Sequence, residues 1–220
     1  MSRQRIILAS ASPRRIEILQ QAGLDVEVVP SGIEERPPER LGPLPYVRWA
    51  ARAKAEAVGA LHPEAVVIAA DTEVVLQGRI FGKPRDRREA AAFLRALSGR
   101  THQVYTAICV IRRGRGAEGH SRTHVTMREL SGAAIAAYVR TGEAQDKAGA
   151  YAIQGKGRRL IASIRGPYDN VVGMPLHLLC RLLRECGVAI TLTSPDALQH
   201  DVIAPPRRRS RPRTRSTPRR

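Results

Sequence analysis

The sequence predicts an α/β fold in which helices flank a mixed β-sheet. Short apolar runs alternate along the chain with segments whose apolar residues recur at helical spacing, a pattern typical of α/β domains. A long hairpin is also expected over residues 101–127, because two alternating segments surround the glycine-rich stretch GRGAEG. A hairpin adds antiparallel pairs to the strand-helix-strand units, so the sheet should be mixed.

The first elements are a strand, a turn and a helix. Apolar residues 6–9 predict a buried strand. Ser12 is expected to cap the helix that follows, with Pro13 at its first position and Gly23 directly after its end. Next along the chain come a strand over 25–29, a loop with five prolines over 30–45 and a helix over 46–59.

A second apolar run, AVVIAA at 65–70, predicts a fully buried strand that ends at Asp71 and Thr72. Residues 73–76 continue in extended conformation towards a turn at Gln77 and Gly78. The remaining expected elements are a helix over 87–97, a helix from Ser131 to Thr141, a loop over 143–157, a strand over 158–165 and a helix over 174–186.

Net charge is the unusual feature of the composition. The chain has 37 Lys and Arg against 20 Asp and Glu, which gives +17. Residues 206–220 consist of eight Arg, three Pro and four Ser or Thr. Such a segment has no apolar side chains to offset the entropy of ordering. We therefore predict one domain over 1–195 and a disordered basic tail over 196–220.

Composition also excludes some classes of protein. No run of about 18 apolar residues is present, so an integral membrane protein is excluded. Aromatic residues make up 4% of the chain, which gives little support for a base-stacking surface that binds nucleic acid. The three cysteines lack metal-ligand spacing, and the N-terminal apolar stretch is too short for a signal peptide. We therefore expect a cytoplasmic protein.

The first strand-to-helix junction is a candidate phosphate site. Ser10, Ser12, Arg14 and Arg15 surround a helix N-terminus, where free N–H groups and the positive end of the dipole favour an anion. The alternative is a capping serine followed by solvated arginines. No Walker A sequence is present, so the common P-loop is excluded.

Three carboxylates are candidates for metal binding or proton transfer. Glu34 and Glu35 lie in the loop after the second strand, and Asp71 directly follows the buried run. Mg²⁺ is usually held by such hard oxygen ligands together with substrate phosphates. The alternatives are a solvated turn for the glutamates and a hydrogen-bonded strand end for Asp71.

Lysine is scarce in this arginine-rich chain. Its four lysines are Lys54, Lys83, Lys147 and Lys156. A compact ammonium suits a polyphosphate, although surface lysines are the alternative. Gln154 has a paired donor and acceptor that could recognise a base edge, or it could satisfy loop backbone.

Several motifs resemble those of one family. They are LASASPRR at 8–15, GIEE at 32–35, AADT at 69–72, GKP at 82–84, LSGRTHQVYT at 97–106, DKAGAYAIQG at 146–155 and VVGMPL at 171–176. Their order and spacing resemble the Maf family of nucleoside-triphosphate pyrophosphatases over about residues 5–187. The resemblance implies an elongated mixed sheet with flanking helices, two lobes and a central cleft, as in inosine-triphosphate pyrophosphatases.

The resemblance also implies roles for individual residues. Asp71 would be the proton acceptor, with Glu35 beside it, and both would lie near a divalent cation, Mg²⁺ or Mn²⁺. Lys54 and Lys83 would contact the triphosphate, and Lys83 would also belong to the catalytic group. The remaining implied substrate-binding residues are Ser10, Arg14, Arg15, Thr72 and Gln154, of which Arg14, Thr72 and Gln154 are specificity positions.

The pairing of AADT with AGAYAIQG resembles the branch that acts on dTTP and UTP. We therefore expect hydrolysis of these nucleotides to the monophosphate and pyrophosphate. Two alternatives stay open: a modified nucleotide such as 7-methyl-GTP, and a nucleic-acid-binding or division-regulating role that uses the basic tail. The expected partner is a nucleoside triphosphate and not a membrane, and a homodimer is also left open.

Overall fold

A mixed β-sheet forms the centre of the fold. The computed structural model describes residues 4–37 and 39–190, so the predicted tail over 196–220 lies outside the described residues. The strands are β1 (Ile6–Leu8), β2 (Glu27–Val28), β3 (Val66–Leu76), β4 (Arg79–Phe81), β5 (Thr101–Arg112), β6 (Arg115–Met127) and β7 (Ile161–Arg165). The helices are α1 (Pro13–Gln21), α2 (Pro43–Leu61), α3 (Arg87–Leu97), α4 (Gly132–Arg140), α5 (Tyr168–Val172) and α6 (Leu176–Glu185), and two 3₁₀ turns span Ala148–Ala150 and Gly155–Leu160.

The strands lie in the order β2, β1, β3, β5, β6, β7, and β4 pairs with β3. β1 pairs in parallel with both β2 and β3. The pairs that involve β4, β5, β6 and β7 are antiparallel. The predicted mixed α/β fold with flanking helices is therefore confirmed. No helix in the described part of the chain is long and apolar enough to cross a membrane.

Helices cover both faces of the sheet. The buried stripe of α2, which includes Ala51, Ala55 and Val58, packs on one face. The other helices contribute to a larger core on the opposite face. Alternate residues of β3 serve the two cores, as the pleat of a strand requires: Ala69 faces the α2 side and Ala70 faces the larger core.

One edge of β3 is open in its middle. β1 pairs with residues 66–68 of β3, and β4 pairs with residues 74–76. In the described chain, residues 69–73 therefore have no partner strand on that edge, although β5 continues along the other one. The turn that leads from β1 into α1 lies beside this opening. The opening is the place where the candidate site forms.

The structure corrects the expected position of Asp71. We expected the buried strand to end there, but β3 continues as one strand of 11 residues to Leu76. Asp71 pairs with Ala107 and Thr72 pairs with Thr106 of β5. Because β5 is long, its hydrogen-bonded pairing with β3 continues past these polar residues. They therefore lie within the sheet and not after it.

Other differences concern turns. The long hairpin turns at Arg113 and Gly114, both with positive φ, and residues 115–119 of the expected turn belong to β6. Positive φ at both central residues suits the twist of a two-residue hairpin. Ser12 is the N-cap residue of α1 but its side chain makes no capping bond; its backbone N–H instead donates to Ser10 Oγ at 3.3 Å.

The ends of several elements also differ from prediction. α2 begins at Pro43, since proline is well accepted at the first position of a helix. The strand expected over 158–165 begins at Ile161, because a 3₁₀ turn occupies the residues before it. The short helix α5 was not predicted. In contrast, α3 matches its predicted bounds, and Ser131 caps α4 as expected, accepting from the N–H of Ala134.

His102 is a buried titratable group in β5. Its Nε2 lies 2.7 Å from the hydroxyl of Tyr151, and its Nδ1 has no hydrogen-bond partner among the described residues. Burial lowers the pKa of His102 to about 4. The imidazole is therefore neutral in the folded protein at neutral pH.

His102 should make stability depend on pH. Between its unfolded pKa of about 6.5 and its folded pKa of about 4, the unfolded chain binds the proton more tightly. The free energy of unfolding therefore falls as the pH drops through this window, and the contribution is fully present above it. Replacing the imidazole in His102→Gln should flatten the change between pH 7 and pH 4.5 by about 1 kcal/mol or more, measured by urea unfolding. Parallel pH curves for the two proteins would contradict this.

Gly157 lies where a 3₁₀ turn packs against the segment that carries Tyr151. A Cβ at this position would overlap the carbonyl oxygen of Ala152 and the hydroxyl of Tyr138. We expect Gly157→Ala to lower the free energy of unfolding by about 2 kcal/mol or more in urea denaturation. Gly132→Ala is the matched control, because a Cβ there meets nothing within 4 Å. Equal stability of the two variants would show that the turn adapts freely.

Candidate active site

A cavity of about 630 Å³ lies at the open edge of β3. It is bounded by the turn after β1, the loop before α2, and residues of α2, β3 and α5, together with the loops after β4 and α4. Of the predicted site residues, the cavity is lined by Ser10, Arg14, Arg15, Glu35, Lys54, Asp71, Thr72 and Lys83. The fold thus brings together residues that are far apart in the sequence.

Gln154 is not among the residues that line this cavity, although Tyr151 and Ile153 are. It is partly buried and precedes the 3₁₀ turn Gly155–Leu160. Its role in specificity therefore stays a prediction.

Lys54 is the centre of a charged cluster on one face of β3. Its ammonium donates to Asp71 Oδ1 at 2.7 Å and forms an ion pair with Glu35 Oε1 at 2.9 Å. The lysine and the aspartate are 9% and 5% exposed, respectively. A buried ammonium needs such partners, because an unpaired charge in the interior is costly.

The sequence of α2 explains why this lysine is buried. Lys54 follows Ala50 and Ala51 by one turn and precedes Val58 by one turn, so it occupies the stripe that packs on the sheet. Small alanines let the helix lie close to β3. The long lysine side chain then carries its charge along the sheet to Asp71.

The second carboxylate oxygen of Asp71 differs from the first in its hydrogen bonding. Oδ2 is buried and has no hydrogen-bond partner among the described residues. One oxygen is therefore fixed by Lys54 while the other is available to a ligand, a cation or a water molecule.

Glu73 is a site residue that the sequence reasoning missed. It lines the cavity, is 9% exposed, and its Oε2 has no partner in the described chain. Burial, reinforced by the nearby charges of Asp71 and Glu35, raises the pKa of Glu73 to about 8. The available signal was strand periodicity: in a continuous β3, residues 71 and 73 share one face.

Arg15 lies on the other side of the opening, and its guanidinium is held by protein atoms. Nε donates to the carbonyl of Gly173 at 3.0 Å, and Nη1 donates to Ser10 Oγ at 3.0 Å and to the carbonyl of Ala70 at 2.8 Å. Nη2 donates to Thr72 Oγ1 at 3.0 Å. Four of its five N–H groups are thus used within the fold. The structure places Arg15 at the predicted turn, but most of its donors point into the protein.

Arg14 and Lys83 are cations at the cavity that have fewer protein partners than Arg15 and Lys54. Within the described chain, neither side chain makes a hydrogen bond or ion pair, and Lys83 is exposed. Burial lowers the pKa of Arg14, and the charge of Asp146 partly opposes this effect. By contrast, Lys147 is paired with Asp146. Arg14 and Lys83 are therefore well placed to meet an anion that enters the cavity.

Glu34 differs from Glu35 in its surroundings. Both glutamates are exposed, but Glu34 pairs with the neighbouring Arg36 at 2.8 Å, whereas Glu35 pairs with Lys54. Glu34 is also not among the lining residues of the cavity. The solvated alternative considered for this glutamate therefore describes it well.

Comparisons with known proteins agree with the motifs. The chain matches the model of the family described as Maf-like protein over residues 5–186. The dTTP/UTP pyrophosphatase of Deinococcus radiodurans is 50% identical over 185 residues, which cover 84% of this chain and 94% of the relative. The dTTP/UTP pyrophosphatase of Moorella thermoacetica is 50% identical over 188 residues, which cover 84% and 97%.

A solved structure, the Ham1 protein of Staphylococcus aureus, aligns over 81% of this chain and 91% of its own. The TM-score is 0.46 and the identity is 14%. So slight a likeness adds nothing to the sequence matches.

Proposed function

This chain belongs to the Maf family, and we propose that it is a nucleoside triphosphate pyrophosphatase that converts dTTP and UTP to the monophosphate and pyrophosphate. One observation carries the proposal. Asp71 lies in the cavity with Oδ1 bound by Lys54 and with Oδ2 buried and unpartnered. This is the arrangement expected of a carboxylate that orients a water molecule and accepts its proton.

The choice of nucleotide is supported by relatives that are similar along almost their whole length. Those of D. radiodurans and M. thermoacetica are covered to 94% and 97%, and both are named for dTTP and UTP. The similarity thus extends over almost the whole length of both relatives.

The polar lining of the cavity suits a triphosphate. Within the described chain, Arg14 and Lys83 offer unpaired positive charge, and the N-terminus of α1 lines the same cavity. The positive end of a helix dipole favours phosphate. These groups would bind the phosphate chain and hold the α-phosphorus near Asp71.

The residues also fit a divalent cation. Glu35 and Asp71 present hard oxygen donors to one shared positive group, the Lys54 ammonium, and Asp71 Oδ2 lacks a partner. Mg²⁺ is usually held by one or two carboxylates together with substrate phosphates. Glu35 and Asp71 would hold the cation, which when bound would neutralise charge on the triphosphate.

The chain's own groups then perform the reaction. Asp71 Oδ2 accepts a proton from water as the water oxygen attacks the α-phosphorus. The bond to the bridging oxygen breaks, and pyrophosphate leaves with its charge met by Arg14 and Lys83. Positioning and charge stabilisation supply most of the rate in such chemistry.

Asp71→Asn tests the proton acceptor. The amide keeps the shape of the side chain but cannot take a proton from water, so turnover of UTP should fall about 10²-fold or more. Release of pyrophosphate is the measurement, over a panel of dTTP, UTP, CTP, GTP and 7-methyl-GTP with Mg²⁺.

Glu118→Gln is the matched control for this change. Glu118 pairs with Arg48 and Arg52 away from the cavity, so the same loss of a carboxylate should leave turnover unchanged. Near-normal turnover of Asp71→Asn would remove Asp71 from its assigned role. A wild-type preference for 7-methyl-GTP would replace the proposed substrates with a modified purine nucleotide.

Lys83→Ala tests the phosphate contacts. Lys83 is exposed and unpaired in the described chain, so its loss should leave the fold intact and raise KM for UTP about tenfold or more. Lys156→Ala is the control, because Lys156 is exposed and lies outside the cavity. If both variants showed the same KM, Lys83 would have no part in substrate binding.

A further inference from the structure

The hydroxyl of Thr72 belongs to a chain of hydrogen bonds whose direction can be deduced. Its Oγ1 lies 3.0 Å from Nη2 of Arg15 and 3.0 Å from Oγ1 of Thr106. Thr106 Oγ1 in turn lies 2.8 Å from the backbone carbonyl of Asn170. A hydroxyl has one proton to donate and two lone pairs to accept with, so each bond limits the others.

The two ends of the chain set its direction. A guanidinium only donates, so Thr72 accepts from Arg15. A carbonyl only accepts, so the single proton of Thr106 is used on Asn170. The bond between the two threonines must therefore run from Thr72 to Thr106. The proton of Thr72 points into the protein, and its remaining lone pair is all that it can offer to a ligand.

Burial makes this direction persistent. Thr106 and Asn170 are both fully buried, so no solvent reaches the hydroxyl or the carbonyl to accept the proton instead. Asn170 is also held by its side chain, whose Nδ2 donates to the carbonyl of Val104 and to Thr123 Oγ1, each at 3.0 Å. Reversing the bond would leave a buried carbonyl without a donor, which is costly.

Thr72 shares the cavity wall with several apolar side chains. They include Val74 on the same strand face, Val171 and Val172 of α5, and Ile153. Binding sites commonly pair an apolar wall with a few polar groups that fix orientation. These apolar side chains thus suit a nucleobase, whereas the charged residues of the cavity suit the phosphates.

We propose that Thr106 is a positioning residue that makes Thr72 an acceptor-only contact, and that this contact selects bases with a ring N3–H. The proposal rests on the proposed function. In uracil and thymine joined to a sugar at N1, N3–H is the single polar hydrogen of the base. Cytosine has an unprotonated N3 at the same place. Its N3 lone pair would face the lone pair of Thr72 Oγ1, and the two would repel each other.

Thr106→Val tests this inference. Valine has nearly the shape of threonine but cannot accept the proton of Thr72, which is then free to turn towards the cavity. The preference for UTP over CTP, as the ratio of kcat/KM values, should fall about tenfold or more. The change should come mainly from KM, since the groups around the α-phosphorus are untouched.

Two variants separate positioning from packing. Thr106→Ser keeps the hydroxyl and should retain the wild-type preference. Thr123→Val makes the same chemical change beside the same Asn170, but Thr123 donates to the carbonyl of Pro167 and does not contact Thr72. It should leave the preference unchanged, even if it lowers the Tm. An unchanged preference in Thr106→Val, or an equal loss in Thr123→Val, would overturn the proposal.

A binding measurement on the wild-type protein keeps the proposal testable if Thr106→Val does not fold. The α,β-imido analogue of UTP should bind about tenfold or more tightly than the same analogue of CTP by calorimetry. Equal binding would overturn the acceptor-only contact while hydrolysis of UTP still supported the proposed function. Failure of the wild-type protein to release pyrophosphate from any pyrimidine triphosphate would instead remove the proposed function itself.

Discussion

The guanidinium of the partly buried Arg15 makes the contacts on which the site depends. It joins the turn after β1 through Ser10, the open edge of β3 through Ala70 and Thr72, and the turn after α5 through Gly173. Partial burial of this charge is tolerated because four of its N–H groups donate to protein acceptors. Gly173 has φ of +109°, and a Cβ there would lie 3.1 Å from Thr72 Oγ1, so glycine permits the close approach. Three segments are thereby held in one geometry.

Because β3 is pleated, its site residues lie on two opposite faces. Asp71 and Glu73 point to the side where Lys54 reaches in from α2, and Thr72 points to the side of Arg15. The proposed proton acceptor and the proposed base contact thus lie on opposite faces of one strand. Side-chain alternation along one regular strand is enough to produce this separation. Because residues 69–73 have no partner strand on one edge in the described chain, both faces of β3 open to the same cavity.

Local signals predicted much of this arrangement, and non-local contacts explain what was missed. The bounds of α3 and the cap at Ser131 follow from nearby residues, and the structure has both. Glu73 was overlooked because an apolar run followed by an acid suggests a strand end, whereas pairing with β5 carries the strand onwards. The link from Thr106 to Asn170 spans 64 residues, and no spacing rule reveals such a contact.

The charge balance of the cavity bears on the proposed cation. The formally positive lining residues are Arg14, Arg15, Lys54, Lys83 and Lys147, and the formally negative ones besides Glu73 are Glu35, Asp71 and Asp146. The raised pKa of Glu73, about 8, leaves that side chain mostly protonated at neutral pH. Two net positive charges therefore face the substrate, fewer than a triphosphate needs, although the whole chain carries +17. In addition, most N–H groups of Arg15 and Lys54 already donate to acceptors within the protein. The shortfall supports a divalent cation at Glu35 and Asp71, since it would add charge where these two carboxylates subtract it.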